Sequence, residues 1–226
     1  MWTVINRGPV RVGLLAAAVA GLLCLGVAGC GGGGDEEGAD KALAGTRLCG
    51  GDAVSAQAPK ALKVITGSSR FGTTAEKSTV ARAATDLVEA FPVATGGRDD
   101  VCRIYTADGT PDFAVRVTWG LDDGPPTGTP ASDFTVLDMG ERTLTAANRA
   151  SVRFACRSDR FPNAANVAHI VVGVERWGMP TEPEGDVEAL KDAYATVAHS
   201  FSPAMAEELR CERNGGLPAR PALDPA

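Results

Sequence analysis

Apolar positions along the chain follow two periods, and the two occupy separate blocks. Over residues 56–66, Leu62, Ile65 and several alanines recur at helical spacing, with Ser55 available as cap and Gly67 as stop. Pro59 falls in the first turn, where its missing N–H does least harm. A second helix is predicted to open at Thr73-Thr74-Ala75-Glu76, a capping-box spacing. It keeps Val80, Ala84, Leu87, Val88 and Phe91 on one face and stops at Pro92. Period-two alternation then takes over. Residues 101–107 and 112–119 flank the turn sequence Asp108-Gly109-Thr110-Pro111 and read as a hairpin. Phe113, Val115, Val117 and Trp119 share one face of its second strand, and Ala114, Arg116 and Thr118 share the other. One buried and one wetter face follow from that alternation. Further strands are predicted at 133–138, 151–157 and 166–177. The clearest helix is the last, 186–211, with Val187, Leu190, Tyr194, Val197, Phe201, Met205 and Leu209 in one stripe and a kink at Ser202-Pro203.

Strands in runs with helices before and after define an α+β domain. The expected architecture is a single domain with a mainly antiparallel sheet of about five or six strands, helices packed on one face and a long kinked C-terminal helix. An internal echo accompanies it. Cys102-Arg103 leads through a hairpin to Trp119-Gly120, and Cys156-Arg157 leads through another to Trp177-Gly178, although two such dipeptide pairs also arise by chance.

The first 34 residues have neither period. Arg7 and Arg11 are their only charges and precede an unbroken small and apolar run, residues 12–29, the charged and apolar regions of a secretory signal. The run ends Val27-Ala28-Gly29-Cys30, which resembles the bacterial lipobox, where the chain is cut before a cysteine that then carries lipid. Cys24 fails the same test because Leu22 and Leu23 are too bulky for the cleavage pocket. The alternative is an uncleaved transmembrane helix, since about 18 apolar residues can span a bilayer. Both readings leave the arginines in the cytoplasm and the rest of the chain outside. The expected organisation is a signal peptide at 1–29, then lipidated Cys30 and a flexible Gly/acidic tether at 30–46. A folded domain at 47–213 and a disordered tail at 214–226 complete it. The tether's r.m.s. reach is roughly 20 to 24 Å, enough to hold a domain clear of lipid heads.

Composition narrows the partners. Loss of Arg7 and Arg11 with the signal takes the formal net charge from -6 to -8, because the 28 acidic residues all remain. An acidic exported domain repels nucleic acid and anionic lipid heads, so nucleic-acid binding is set aside. Of the 6 cysteines, Cys24 and Cys30 are accounted for, which leaves Cys49, Cys102, Cys156 and Cys211. An even number in an exported chain reads as a disulfide framework, and no two lie close enough in sequence for a zinc site. Cys49 with Cys102 and Cys156 with Cys211 is the favoured pairing, since each ties a helix end to a strand within one half of the chain. Cys49 with Cys211 and Cys102 with Cys156 is the runner-up.

The lipobox, the glycine tether, Leu48-Cys49-Gly50-Gly51 opening a helix and Glu208-Leu209-Arg210-Cys211 closing the last one resemble a known group. These are small two-disulfide cell-envelope lipoproteins of high-GC Gram-positive bacteria, largely of unknown function. The resemblance implies a place, the outer face of the cytoplasmic membrane, and no activity.

Catalytic patterns are incomplete or absent. Gly67-Ser68-Ser69-Arg70-Phe71 lacks the second glycine of a nucleophile elbow, and no S-x-x-K, H-E-x-x-H or phosphate-cradling glycine loop occurs. His169 shares a strand face with Glu175 and Trp177, opposite Ala168, Ile170, Val172 and Val174. His199 lies off the stripe of its helix, and both histidines read as ordinary surface or strand residues. Asp122, Asp123 and Asp133 offer hard oxygen ligands, yet their spacing fits no calcium loop and prolines stiffen the segment, so a solvated loop is expected. Trp119 reads as core; Trp177, with His169 and Glu175, is the candidate partner surface. No catalytic residue, metal or cofactor is assigned. The expected partners are the membrane, through lipid on Cys30, and an envelope protein or ligand. A non-catalytic binding or interaction module comes first among the functions, a passive structural or assembly lipoprotein second and an enzyme third. Transport receptors need two lobes, and this chain has residues for one.

Overall fold

The computed structural model describes residues 48–50, 54–73, 78–91, 98–106, 113–162, 166–178 and 184–226. The signal segment, Cys30, the tether, residues 74–76 of the capping box and the turn at 108–111 lie outside these. Among the described residues seven strands form one antiparallel sheet, and three α-helices accompany it. In chain order the elements are α1 (Ala58–Thr66), β1 (Phe71–Thr73), α2 (Val80–Ala90), β2 (Arg98–Thr106), β3 (Phe113–Asp122) and β4 (Thr135–Leu137). They continue with β5 (Arg142–Ala146), β6 (Arg149–Cys156), β7 (Ala168–Gly178) and α3 (Val187–Glu208). The sheet order is β1-β2-β3-β7-β6-β5-β4, so the hairpin β2–β3 meets the β4-to-β7 run across a central β3–β7 pair.

The α+β class with helices on one face and a long C-terminal helix is therefore what the chain adopts, with seven strands among the described residues where about five or six are expected from the pattern. β1 is only three residues long. β5 inverts the usual code: its core-facing positions are Thr143 and Thr145, and its outward positions include Leu144. Both threonines are buried because each hydroxyl has a carbonyl to donate to, Met139 at 3.0 Å and Lys191 at 2.6 Å.

Local chemistry sets the helix ends. Gly67 stops α1 as expected, but the helix begins at Ala58 after Gln57 rather than at residue 56 behind a Ser55 cap. The expected capping box does not open α2. Thr73 is the last residue of β1, and Thr79 is the cap, its Oγ1 accepting from the Arg82 N–H at 3.1 Å. α3 opens on Asp186, whose Oδ1 accepts from the Ala189 N–H at 2.8 Å, and it runs through Pro203.

α1, α2 and α3 cover one face of the sheet. Val115, Val117 and Trp119 of β3 point into that core, as do Ile170, Val172 and Val174 of β7 and Val152 and Phe154 of β6. A bulge between Asp100 and Cys102 lets β2 bury Val101 and Cys102 while turning Asp100 to the opposite face. The stripe expected on α3 is buried from Leu190 to Leu209, though Val187 at its start is exposed. Between Ala193 and Ser202 α3 is buried all round, because small Ala, Ser and Thr residues let α1 and the C-terminal segment approach on its other sides. The Ser200 hydroxyl accepts from the Ser55 N–H at 2.5 Å, and Ser202 donates to the Ala198 carbonyl at 2.8 Å.

Two disulfides staple this core, Cys49–Cys102 and Cys156–Cys211, with Cα separations of 5.8 and 4.9 Å. The favoured pairing is the one formed. Cys156–Cys211 joins β6 to the segment just after α3, and Cys49–Cys102 joins β2 to a turn ahead of α1.

The tail does not match the expected disorder at 214–226. Leu217 is buried, Ala222 and Leu223 pack against Leu137, Met139 and Ala195, and the Ala226 N–H donates to the Val136 carbonyl at 3.0 Å. Glycine and proline content suggested disorder, but three apolar side chains placed by the Cys156–Cys211 crosslink give the segment enough to bury. It runs as a strap from the end of α3 to the outer edge of β4.

Candidate functional site

Helices cover one side of the sheet, so the alternation that buries Val115, Val172 and Val152 turns their neighbours onto an open side. That side bears Asp100 and Arg103 of β2, Arg116 and Thr118 of β3, Gly173 and Glu175 of β7, and Ser151 and Arg153 of β6. The three candidate residues Trp177, His169 and Glu175 all stand on it, as the alternation of β7 requires. They are not gathered at one point: eight residues of extended strand put His169 roughly 26 Å from Trp177.

Trp177 is 39% exposed, and the Arg103 guanidinium lies 4.2 Å from its ring centroid. From there a ladder of ion pairs crosses the face. Asp100 accepts from Arg103 at 3.1 Å and from Arg116 at 2.5 Å, and Arg116 also donates to Glu175 at 3.1 Å. Burial penalises the Arg116 charge, but Asp100 and Glu175 more than offset that and hold its pKa above the ordinary arginine value. Further along, Arg149 pairs with Asp133 at 2.8 Å and stacks 4.6 Å from the Phe134 ring centroid. Arg153 pairs with Asp122. At the far end His169 Nδ1 lies 2.9 Å from both Glu141 oxygens. Asp122 and Asp133 are thus committed to arginines.

Between the two ends of the ladder lies a trough of about 310 Å³, with small residues as its floor and Arg98, Phe134, Leu144, Arg149, Arg153 and Glu175 around it. The floor is low because Thr118, Gly120, Ser151 and Gly173 occupy open-face positions of the three central strands. At Gly173 a Cβ would meet Thr118 Oγ1 at 2.6 Å, so any side chain there displaces the threonine and raises the floor. Glu175 lines this trough, whereas His169 and Trp177 flank the face beyond it.

The arginines around the trough are not among the candidates that the sequence pattern singles out. Yet once Val152 and Phe154 face the core, Arg149 and Arg153 must face out, and the spacing Arg149-x-Ser151-x-Arg153 was the available signal. Arg98 carried none, because it precedes the run of apolar alternation.

A second cleft, about 650 Å³ and shallow, follows α3 and the strap and is lined by His199, Ser200, Glu207 and Arg210 among others. His199 is 3% exposed rather than a surface residue, because the strap folds over the side of α3 that the stripe left uncovered. Its Nε2 sits 2.9 Å from the Pro218 carbonyl; that oxygen can only accept, so Nε2 carries the proton. Burial lowers the imidazole pKa, partly offset by the Pro218 carbonyl, so the folded state favours neutral His199. The unfolded chain therefore binds the extra proton first as pH falls. His199's contribution to stability is full above the ordinary value of 6.5 and is lost as pH drops from there through the lowered folded value. His199→Gln, which keeps a donor to Pro218 and does not titrate, is expected to flatten the fall in melting temperature between about pH 7.5 and about pH 5. A slope identical to that of the parent protein would contradict this role.

No protein-family model matches the chain, and neither a curated protein nor a solved structure does.

Proposed function

We propose that this protein is a lipid-anchored, non-catalytic binding module on the outer face of the cytoplasmic membrane, and that its open sheet face receives the ligand. The trough carries this reading. A concave site over small residues, with Glu175, Arg149 and Arg153 around it held in place by ion pairs, is built for occupancy rather than for closing a core. The ordered charges beside it match a site whose geometry is set before the ligand arrives, which lowers the ordering cost of binding. The His169–Glu141 pair is not part of the trough lining, so it serves this reading as the end of the ladder. The anchor rests on the arginine, apolar run and Val27-Ala28-Gly29-Cys30 sequence, and on the resemblance of the chain to lipoproteins of high-GC Gram-positive bacteria.

Two measurements test the two halves. Replacement of Cys30 by Ala is expected to block lipidation and leave an unprocessed precursor at the membrane, and mass spectrometry of the mature N-terminus reads this directly. A wild-type product that retains residues 1–29, or that begins elsewhere without lipid, refutes the anchor. For the site, native mass spectrometry of the protein released from its envelope in mild detergent is expected to show a bound species. Ser151→Trp, which fills the trough, should lose that species, and Val64→Glu on the exposed side of α1 should keep it. A species retained by Ser151→Trp places binding elsewhere.

A further inference from the structure

We infer that the trough binds an oxyanion, a phosphate monoester, between Arg98 and Arg153, with the compact body of the ligand against Phe134 and Leu144. The inference rests on the binding-module reading and names its ligand class. Every other arginine around the trough is committed: Arg116 to Asp100 and Glu175, and Arg149 to Asp133. Arg98 is exposed and has no carboxylate partner among the described residues, although the protein carries 28 acidic residues against 22 basic ones. Arg153 pairs with Asp122 through one terminal nitrogen, while its Nε is buried with no hydrogen-bond partner among the described residues. A buried guanidinium N–H without a partner is costly, and a second cation facing it adds to that cost. Burial first, and the Arg98 charge second, hold the Arg153 pKa below the ordinary arginine value, which records the same conflict. An oxyanion between the two removes it, because it supplies acceptors to both guanidinium groups and cancels their repulsion. Among the described residues, the one carboxylate lining the trough, Glu175, already accepts from Arg116 and so does not fill this role. At about 310 Å³ the space suits one charged group on a small ring or chain rather than an extended polymer segment.

Calorimetric titration of the full chain in nonionic detergent at low ionic strength tests this, with phenyl phosphate and short-chain phosphatidic acid as probes. Both bear the phosphate monoester; tighter binding of phosphatidic acid identifies a lipid headgroup as the natural source, and tighter binding of phenyl phosphate a soluble ligand. Arg98→Gln, an exposed substitution that leaves the fold intact, is expected to weaken the bound probe about tenfold, the loss of one charge-assisted contact. Arg82→Gln on α2, an exposed arginine away from the trough, should leave it unchanged. Binding should also weaken as salt is added. No heat with either probe, or equal affinity in Arg98→Gln and the parent protein, overturns the inference. An uncharged species that co-purifies and is lost by Ser151→Trp would overturn it while leaving the binding module standing. Absence of any species in both experiments removes the module reading as well.

Discussion

Reduction of both disulfides is expected to lower the melting temperature by roughly 15 to 30 °C, the largest single effect available in this chain. The bridges close loops with sequence separations of 53 and 55 residues. In the loop-closure model each contributes about 4 kcal/mol by restricting the unfolded chain, and a domain of this size has about 5 to 15 kcal/mol in total. The two should not be equal in their structural consequences. Cys49–Cys102 fixes the chain ahead of α1 to β2. Cys156–Cys211 fixes the end of α3 to β6 and also sets the start of the strap, so its loss frees residues 212–226 to leave the domain. The double variant Cys156→Ala/Cys211→Ala is therefore expected to melt lower than Cys49→Ala/Cys102→Ala and to show faster amide exchange at Ala226, whose N–H is bonded to the Val136 carbonyl. Calorimetry with and without reductant, thiol counting and a non-reducing peptide map provide the measurements. A melting curve unchanged after verified reduction would show that these bridges do not stabilise the fold.

Which parts of this molecule the sequence makes legible follows from how locally each part is determined. β3 and β7 alternate over most of their length, so their buried face is readable from Val115, Val117, Ile170, Val172 and Val174. The pairing of the cysteines was readable for a similar reason, since each pair lies within one half of the chain. β5 was not, because its core face is made of threonines that are buried only when Met139 and Lys191 offer them carbonyls, and those partners come from elsewhere in the chain. Two threonine sites, Thr73 and Thr79, compete for the α2 cap, and β1 pairing with β2 takes the first. For the candidate site, alternation placed Trp177, His169 and Glu175 on one face. It could not reveal that Arg98 and Arg153, 55 positions apart, oppose each other across a trough, since that is a property of sheet order β2-β3-β7-β6. The burial of His199 is not legible in the sequence for the same physical reason as that of the tail. The stripe of α3 defines one buried side, and the returning strap buries the side that carries His199.

The joint between strap and sheet supplies the second large effect. Phe154→Ala is expected to cost about 3 to 5 kcal/mol, because the ring is fully buried on β6 and its removal leaves a cavity under both the helices and the strap. Gly215 lies directly over that ring. It sits in the left-handed region at φ 64°, after Arg213 and Asn214 in the same region, and a Cβ on it would stand 2.6 Å from Phe154 Cδ2. Gly215→Ala therefore meets two penalties, about 1 kcal/mol for the backbone conformation and about 1 to 3 kcal/mol for the overlap with the ring. Only the first survives when the ring is gone. The double variant Phe154→Ala/Gly215→Ala is accordingly expected to be more stable than the sum of the single changes predicts, by about 1 to 3 kcal/mol, with the new methyl filling part of the cavity. Urea unfolding of the parent protein, the two single variants and the double variant measures this coupling. Additive losses would mean that the strap does not rest on Phe154. In that case the order of residues 214–226 would have to come from Leu217, the His199–Pro218 bond and the contact with β4 alone.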